Sequence, residues 1–253
     1  MSQIIHYFIN LDRSTERRAH MEREFARIDV PNARVSGIDG HALTEDPPEV
    51  DRALYRRCHG REIRQGEIGC YLSHLKALRS FLESGEEHGV ILEDDAEFGP
   101  DYLSVLAELT GAKLKSRWDM VKLQCRRDRE PLPLLRLQNG ARFGVNAARS
   151  TGATAYLVNQ FAARRMVDRL TPIEVPYDHA FDRPIHLGIK VRSVRPYPVG
   201  YDNEDMGSTI ETSRPEKLTG AAAMTRHLWR GSTEFQRGLY AVTVFIKERI
   251  GFR

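Results

Sequence analysis

The chain has 253 residues, a formal net charge of +3, and a composition that is 41% hydrophobic and 29% charged. That length and mixture build one ordinary globular core with room for one active site, which excludes a disordered or fibrous chain. So small a net charge gives no reason to expect nucleic-acid binding.

The chain opens with the apolar run Ile4 to Ile9, which reads as a buried strand and breaks at Asn10-Leu11-Asp12. Ser14 can then cap a helix that carries Met21, Phe25 and Ile28 on one face. A second strand, Ala33 to Ile38, ends at Asp39-Gly40, and a polar loop follows through Pro47-Pro48. From Glu67 to Leu82 the residues Ile68, Leu72, Leu75, Leu78 and Leu82 recur at helical spacing between Gly66 and Gly85. That helix leads into the strand Gly89 to Leu92, which stops at Glu93-Asp94-Asp95. A helix near Asp101 to Leu109, a strand near Met120 to Leu123 and an irregular segment to about Ser150 come next. The remaining elements are a strand over Ala153 to Val158, a helix over Asn159 to Leu170, a short helix over Asp178 to Leu187 and a strand over Lys190 to Val194. Strands alternating with helices predict an α/β fold: a mainly parallel, Rossmann-like central sheet flanked by helices. The expected division is a catalytic domain over residues 1–225 and a basic amphipathic segment over 226–253.

The acidic strand end carries the chemistry. In an extended chain Glu93 and Asp95 project to one side and Asp94 to the other. Three adjacent anions repel one another unless a cation or basic partners offset them. A hard divalent ion, Mg²⁺ or Mn²⁺, takes oxygen ligands and leaves room for substrate phosphates, whereas arginine partners or a solvated turn would also serve. Ligands of open parallel sheets bind at the carboxyl ends of strands, where these acids lie.

The segments Phe8 to Ser14 with Arg17-Arg18, Gly37-Ile38-Asp39-Gly40, Gly66 to Cys70 with Ser73-His74, Ile91 to Asp95, Gly152 to Tyr156 and Pro176 to His179 occur in an order that resembles glycosyltransferase family 25. Gly37 stands where that family more often has alanine. The resemblance implies an A-type glycosyltransferase fold. It also implies inverting transfer of a sugar, most often galactose from UDP-galactose, to a saccharide acceptor such as a lipooligosaccharide or lipopolysaccharide. Asp95, with Glu93 or Asp94, would hold the metal that stabilises the departing diphosphate. Asp178 is the candidate base, placed by Pro176 at the expected start of a helix whose backbone N–H groups could hold it; a plain helix cap is the rival reading. Asn10, Arg17 and Asp39 are nominated for the nucleotide, with Asp94 beside them, an arginine fork being suited to a diphosphate. The motif match gives Glu67, Ser73 and His74 a site-facing role. Asp202 to Asp205 reads first as a solvated acidic loop, with closure over the nucleotide and an added metal ligand as the rival reading. The rival functions are another metal-dependent nucleotide enzyme, such as a nucleotidyltransferase, and a non-catalytic nucleotide-sugar-binding protein.

From Arg226 to Arg253 six basic residues face two acids, and Leu228, Trp229, Phe235, Leu239, Tyr240, Val244, Phe245 and Ile246 accompany them. That composition suits an anionic membrane surface, and equally a helix docked on the catalytic domain. No run approaches the roughly 20 apolar residues that span a bilayer. The opening strand is too short for a signal peptide. The three cysteines are an odd number with no close pair. The expectation is a cytoplasmic protein, with peripheral contact on the inner membrane face as the alternative for the tail.

Overall fold

The computed structural model describes residues 4–126, 130–201 and 221–250. Strand β1 (Ile4–Asn10) lies between β2 (Asn32–Ser36) and β3 (His88–Glu93), parallel to both. The eight-stranded sheet continues from β3 through β8 (Ala155–Asn159), β5 (Met120–Lys122), β9 (Val191–Arg195) and β7 (Arg142–Val145) to β6 (Leu132–Arg136). Only β8 and β7 run against the others, so the sheet is mainly parallel although these two make four of its pairings antiparallel. Strands β4 (Ala96–Phe98) and β10 (Val199–Tyr201) form a separate antiparallel pair.

Alternation along the central strands divides the core in two. Tyr7 and Ile91 face one layer with helices α3 (Gln65–Ser84) and α5 (Gln160–Arg169), whereas Phe8, Val90 and Leu92 face the layer of α1 (Thr15–Ile28) and α4 (Tyr102–Thr110). Helix α3 buries ten residues, most of them apolar, as a helix pressed against a sheet should.

The region expected to be irregular before Ser150 instead forms the β6–β7 hairpin. Pro133 misled the pattern reading: β6 is an edge strand, and its register shifts between Pro133 and Leu135, two of the circumstances in which a strand tolerates proline. Helix α2 (Arg52–His59) was hidden in a polar stretch; Asp51 caps it by accepting from the Leu54 N–H, and Gly60 ends it at φ 86°. The short helix expected over Asp178 to Leu187 is two single turns, α6 (Tyr177–Ala180) and α7 (Pro184–Leu187), since the residue before Pro184 is disfavoured in helical geometry. Ser14 stands at the N-cap of α1 without a side-chain capping bond.

The turn after β2 is clamped onto α3. A Cβ at Gly40 would lie 1.7 Å from the Gln65 carbonyl oxygen, and one at Gly69 would lie 2.5 Å from that of Ile38. Both opposing atoms are backbone, so Gly69→Ala should force the two elements apart and cost about 1–3 kcal/mol, measured as a lower denaturant midpoint.

Helix α8 (Ala221–Phe245) packs on α2 and α7, and Ala241 and Arg237 are buried in its contact. Arg237 Nη1 lies 2.5 Å from Asp182 Oδ2, and Lys122 Nζ lies 2.8 Å from Asp182 Oδ1. All three side chains are at most 3% exposed.

Candidate active site

Parallel pairing of β1 with β3 sets Ile9 opposite Glu93, which brings Asn10 beside Asp94 where both strands end. Asn10 Nδ2 donates to Asp94 Oδ2 at 2.8 Å and to the Ser14 carbonyl at 3.0 Å, while Arg34 Nε donates to Asn10 Oδ1 at 3.1 Å. Arg17, from the first turns of α1, donates from Nη1 to Asp94 Oδ1 at 2.9 Å. Asp94 therefore points towards β1 and α1, where Arg17 and Asn10 engage both its oxygens.

Glu93 and Asp95 turn to the other side. Glu93 Oε1 lies 3.4 Å from His74 Nε2, and Glu93 Oε2 accepts from Thr154 Oγ1 at 3.4 Å. Arg126 Nη2 is 3.8 Å from Asp95 Oδ2. Asp95 Oδ1 is buried without a hydrogen-bond partner. Desolvation, reinforced by the adjacent Glu93 charge, pushes the Asp95 carboxyl up to about 7 against the opposing pull of Arg126 and Arg17. Desolvation also acts to raise Glu93, but the hydrogen bond and charge of His74, with help from Arg126 and Thr154, hold it below the usual carboxylate range. The pair is thus short of positive charge, and the orphaned Asp95 oxygen is positioned to accept a cation. These oxygens suit Mg²⁺ or Mn²⁺.

Cys70, His74 and Glu93 place ligand-type atoms within 4.8 Å of one another. Desolvation, then the charges of Glu93, Asp178 and Glu67, push the Cys70 thiol well above its ordinary value.

Asp178 is held differently from the sequence-based expectation. Pro176 is the N-cap of α6, and Asp178 accepts on Oδ2 from the Gly152 N–H at 3.0 Å instead of from its own helix. Gly152 has φ 104°, and a Cβ there would lie 2.7 Å from the Arg126 backbone nitrogen, so the residue that holds Asp178 has to be glycine. His179 Nε2 is 3.9 Å from Asp178 Oδ1. The preceding Tyr177 stacks on His74 at 4.1 Å and 5°, and its hydroxyl meets that of Tyr156 at 2.7 Å. His74 is therefore the packed link between Asp178's turn and Glu93. A cavity of about 410 Å³ opens at Asp178 and His179, with Arg149, Trp229, Arg230 and Glu234 in its wall.

Three nominated residues spend their polar atoms on the scaffold. Asp39 pairs with Arg13 and accepts from the His41 N–H at 3.1 Å, capping the turn Gly40–Ala42. Glu67 pairs with Arg61 and accepts from the Arg64 N–H at 3.1 Å at the start of α3. Ser73 accepts from the Ile38 N–H at 2.7 Å and donates to the Gly69 carbonyl at 2.6 Å. Sequence reasoning missed Arg126 and named Thr154 only within the Gly152 to Tyr156 motif; the nearness of both to the acids follows from β8 lying beside β3. Asp202 to Asp205 lie outside the described residues.

The fold is of the mainly parallel α/β class, and its acids lie at the carboxyl end of a central strand, where ligands of such sheets bind. The glycosyltransferase family 25 (LPS biosynthesis protein) profile matches residues 3–181. The chain belongs to that family. It is 26% identical to an Anopheles gambiae glycosyltransferase 25 family member over 70% of this chain and 31% of that one. It is 27% identical to Xenopus laevis procollagen galactosyltransferase 1-B over 64% of this chain and 28% of that one. A rat protein named probable inactive glycosyltransferase 25 family member 3 is 26% identical over 92% of this chain and 44% of its own length. The chain thus spans about a third of the length of the first two relatives. Among solved structures, A197 from STIV aligns with a TM-score of 0.44 at 8% identity, covering 83% of this chain and all of that one.

Proposed function

We propose that this chain is an inverting glycosyltransferase that moves a sugar, galactose from UDP-galactose, to a hydroxyl of a saccharide acceptor such as a lipooligosaccharide or lipopolysaccharide. The observation that carries the reading is the Glu93–Asp95 pair, desolvated at the β3 end with one Asp95 oxygen unpartnered. Glu93 and Asp95 would hold Mn²⁺ or Mg²⁺, which as a Lewis acid stabilises the charge developing on the leaving diphosphate. Asn10, Arg17 and Asp94 form the rigid wall beside them on the β1 side, and exposed Arg126 offers a cation to the phosphates. His74, packed on Tyr177, holds Glu93 in place.

On the acceptor side Asp178 is the base. Gly152 occupies Oδ2, leaving Oδ1 to take the proton of an acceptor hydroxyl entering from the 410 Å³ cavity. As that oxygen bonds to the anomeric carbon, the bond from this carbon to the diphosphate breaks and its electron pair leaves with the diphosphate. The cavity suits a sugar: Trp229 adds an aromatic side chain to its wall, and its two arginines balance Asp178 and Glu234. Desolvation keeps the cavity's His59 low, at about 2, and lowers His179, so neither imidazole adds charge.

Calorimetric titration with UDP-galactose should show binding that requires Mn²⁺ and weakens at least about tenfold in Asp95→Ala. Metal-independent binding, or full affinity in the variant, would remove the assignment. The second reading, a non-catalytic nucleotide-sugar binder, takes its support from the rat relative's name. It predicts the same titration with no release of UDP in the presence of any acceptor.

A further inference from the structure

Helix α3 and the end of β3 bring together three side chains of different donor type. Cys70 and His74 stand four residues apart on α3, so both project from one face of the helix. Glu93 reaches that face from β3, its Oε1 3.4 Å from His74 Nε2. The Cys70 sulfur, a His74 ring nitrogen and a Glu93 oxygen all lie within 4.8 Å of one another, and among the described residues no other three His, Cys, Asp or Glu side chains do so.

These separations fit a tetrahedral ion. Zn²⁺ binds sulfur at about 2.3 Å, imidazole nitrogen at about 2.0–2.1 Å and carboxylate oxygen at about 2.0–2.2 Å. Tetrahedral angles then set a nitrogen and an oxygen ligand about 3.4 Å apart, and a sulfur about 3.6 Å from the nitrogen. His74 and Glu93 already stand at the first of these distances. The sulfur, at most 4.8 Å from either partner, has to close by no more than about 1.2 Å.

His74 is held as a ligand has to be. Its Nδ1 lies 3.2 Å from the Tyr156 hydroxyl and its ring is stacked on Tyr177, which fixes the ring plane and leaves Nε2 to Glu93. A hydrogen bond on the far nitrogen is what orients metal-bound histidines. Cys70 and Glu93 are partly exposed, so an ion can reach them, whereas His74 is buried. The donor set also differs in kind from the oxygens of Glu93 and Asp95. Thiolate and imidazole select Zn²⁺, carboxylates alone suit Mg²⁺ or Mn²⁺, and affinity at such mixed sites rises from Mn²⁺ to Zn²⁺.

We infer that Cys70, His74 and Glu93 form a Zn²⁺ site that competes with the hard cation for Glu93. The fourth position takes water, as in other three-ligand zinc sites. As the Zn–S bond forms, the thiol proton passes to solvent, and the charge of the ion offsets the desolvation that raises this thiol. Nε2 binds through its lone pair, with the ring proton on Nδ1 donated to the Tyr156 oxygen. Once Glu93 is drawn to Zn²⁺, Asp95 loses its partner in holding Mn²⁺, so Zn²⁺ inhibits. The competition rests on the proposed function, but the site does not.

The test loads the full chain with Co²⁺, a coloured stand-in for Zn²⁺. Wild type should develop a thiolate-to-cobalt charge-transfer band that Zn²⁺ abolishes. Cys70→Ser should lack the band and bind Zn²⁺ at least about 100-fold more weakly, because losing a ligand costs more than the 10–100-fold of losing a hydrogen-bond partner to one. No band in wild type, or the same band in Cys70→Ser, would overturn the inference. X-ray absorption of Zn²⁺-loaded wild type needs no variant: a sulfur neighbour at about 2.3 Å is expected, and a shell of nitrogen and oxygen alone would overturn the site. Zn²⁺ should also abolish Mn²⁺-dependent binding of UDP-galactose by wild type and spare it in Cys70→Ser; equal sensitivity would overturn the competition. Were UDP-galactose not bound at all, the proposed function would fall, while the cobalt band would still decide the site.

Discussion

Asp178→Asn should bind UDP-galactose and metal as wild type does while transferring sugar about 10²–10⁴-fold more slowly, the span general-base catalysis contributes. The substitution is chosen for what it preserves. Asparagine keeps an oxygen that can accept the Gly152 N–H, so the turn and the cavity wall stay in place. What is lost is the carboxylate that takes the acceptor's proton. Steady-state transfer rates beside calorimetric donor affinity separate the two effects: a fall in kcat with unchanged donor affinity is expected. Turnover close to wild type would mean that another group accepts the proton.

The second large effect concerns how α8 is attached. Asp182 is 2% exposed and sits between Lys122 and Arg237, at 2.8 and 2.5 Å, and also accepts from the Ser150 N–H at 3.1 Å. Lys122 Nζ has a further bond to the Ser150 carbonyl at 2.5 Å and lies 4.7 Å from the centre of the Phe181 ring. Asp182→Asn strands two buried cations without a counter-ion and should cost about 3–5 kcal/mol. At roughly 2–4 °C per kcal/mol for a domain of this size, the thermal midpoint should drop by on the order of 10 °C. Arg237→Met should cost less, since Lys122 still neutralises Asp182. Melting curves followed by circular dichroism give the ordering, and equal midpoints for Asp182→Asn and wild type would show that the triad does not anchor the helix.

Much of the site was readable in the chain because its residues are local to strand ends. Alternation along β3 was enough to place Asp94 opposite Glu93 and Asp95, and the structure aims them that way. The edge hairpin β6–β7 was not readable, because Pro133 breaks the strand pattern and only the edge position makes it tolerable. The holder of Asp178 was misjudged for a similar reason. A carboxylate near a helix start suggests a cap, and nothing in its neighbourhood announces that Gly152, 26 positions earlier, supplies the N–H.

Arg17 shows the same limit for charge. Its residue type suits a diphosphate, but the fold sets it against Asp94, so its first partner is a carboxylate of the protein itself. The tail offered two readings that composition could not separate, because one count of basic and apolar residues serves both a packed helix and a membrane-facing one.

The sequence by itself determined the α/β class, the acidic strand end and the family, because each rests on short-range periodicity or on ordered local motifs. Only the tertiary structure decided the partners of these charges: that Asp94 is paired, that an Asp95 oxygen is left over, that Asp178 hangs from Gly152, and that Glu234 of α8 and Glu248 just beyond it face inward. Electrostatics acts across a few ångströms of space whatever the separation along the chain, so the groups that tune a carboxylate come from elements whose adjacency only the sheet order creates.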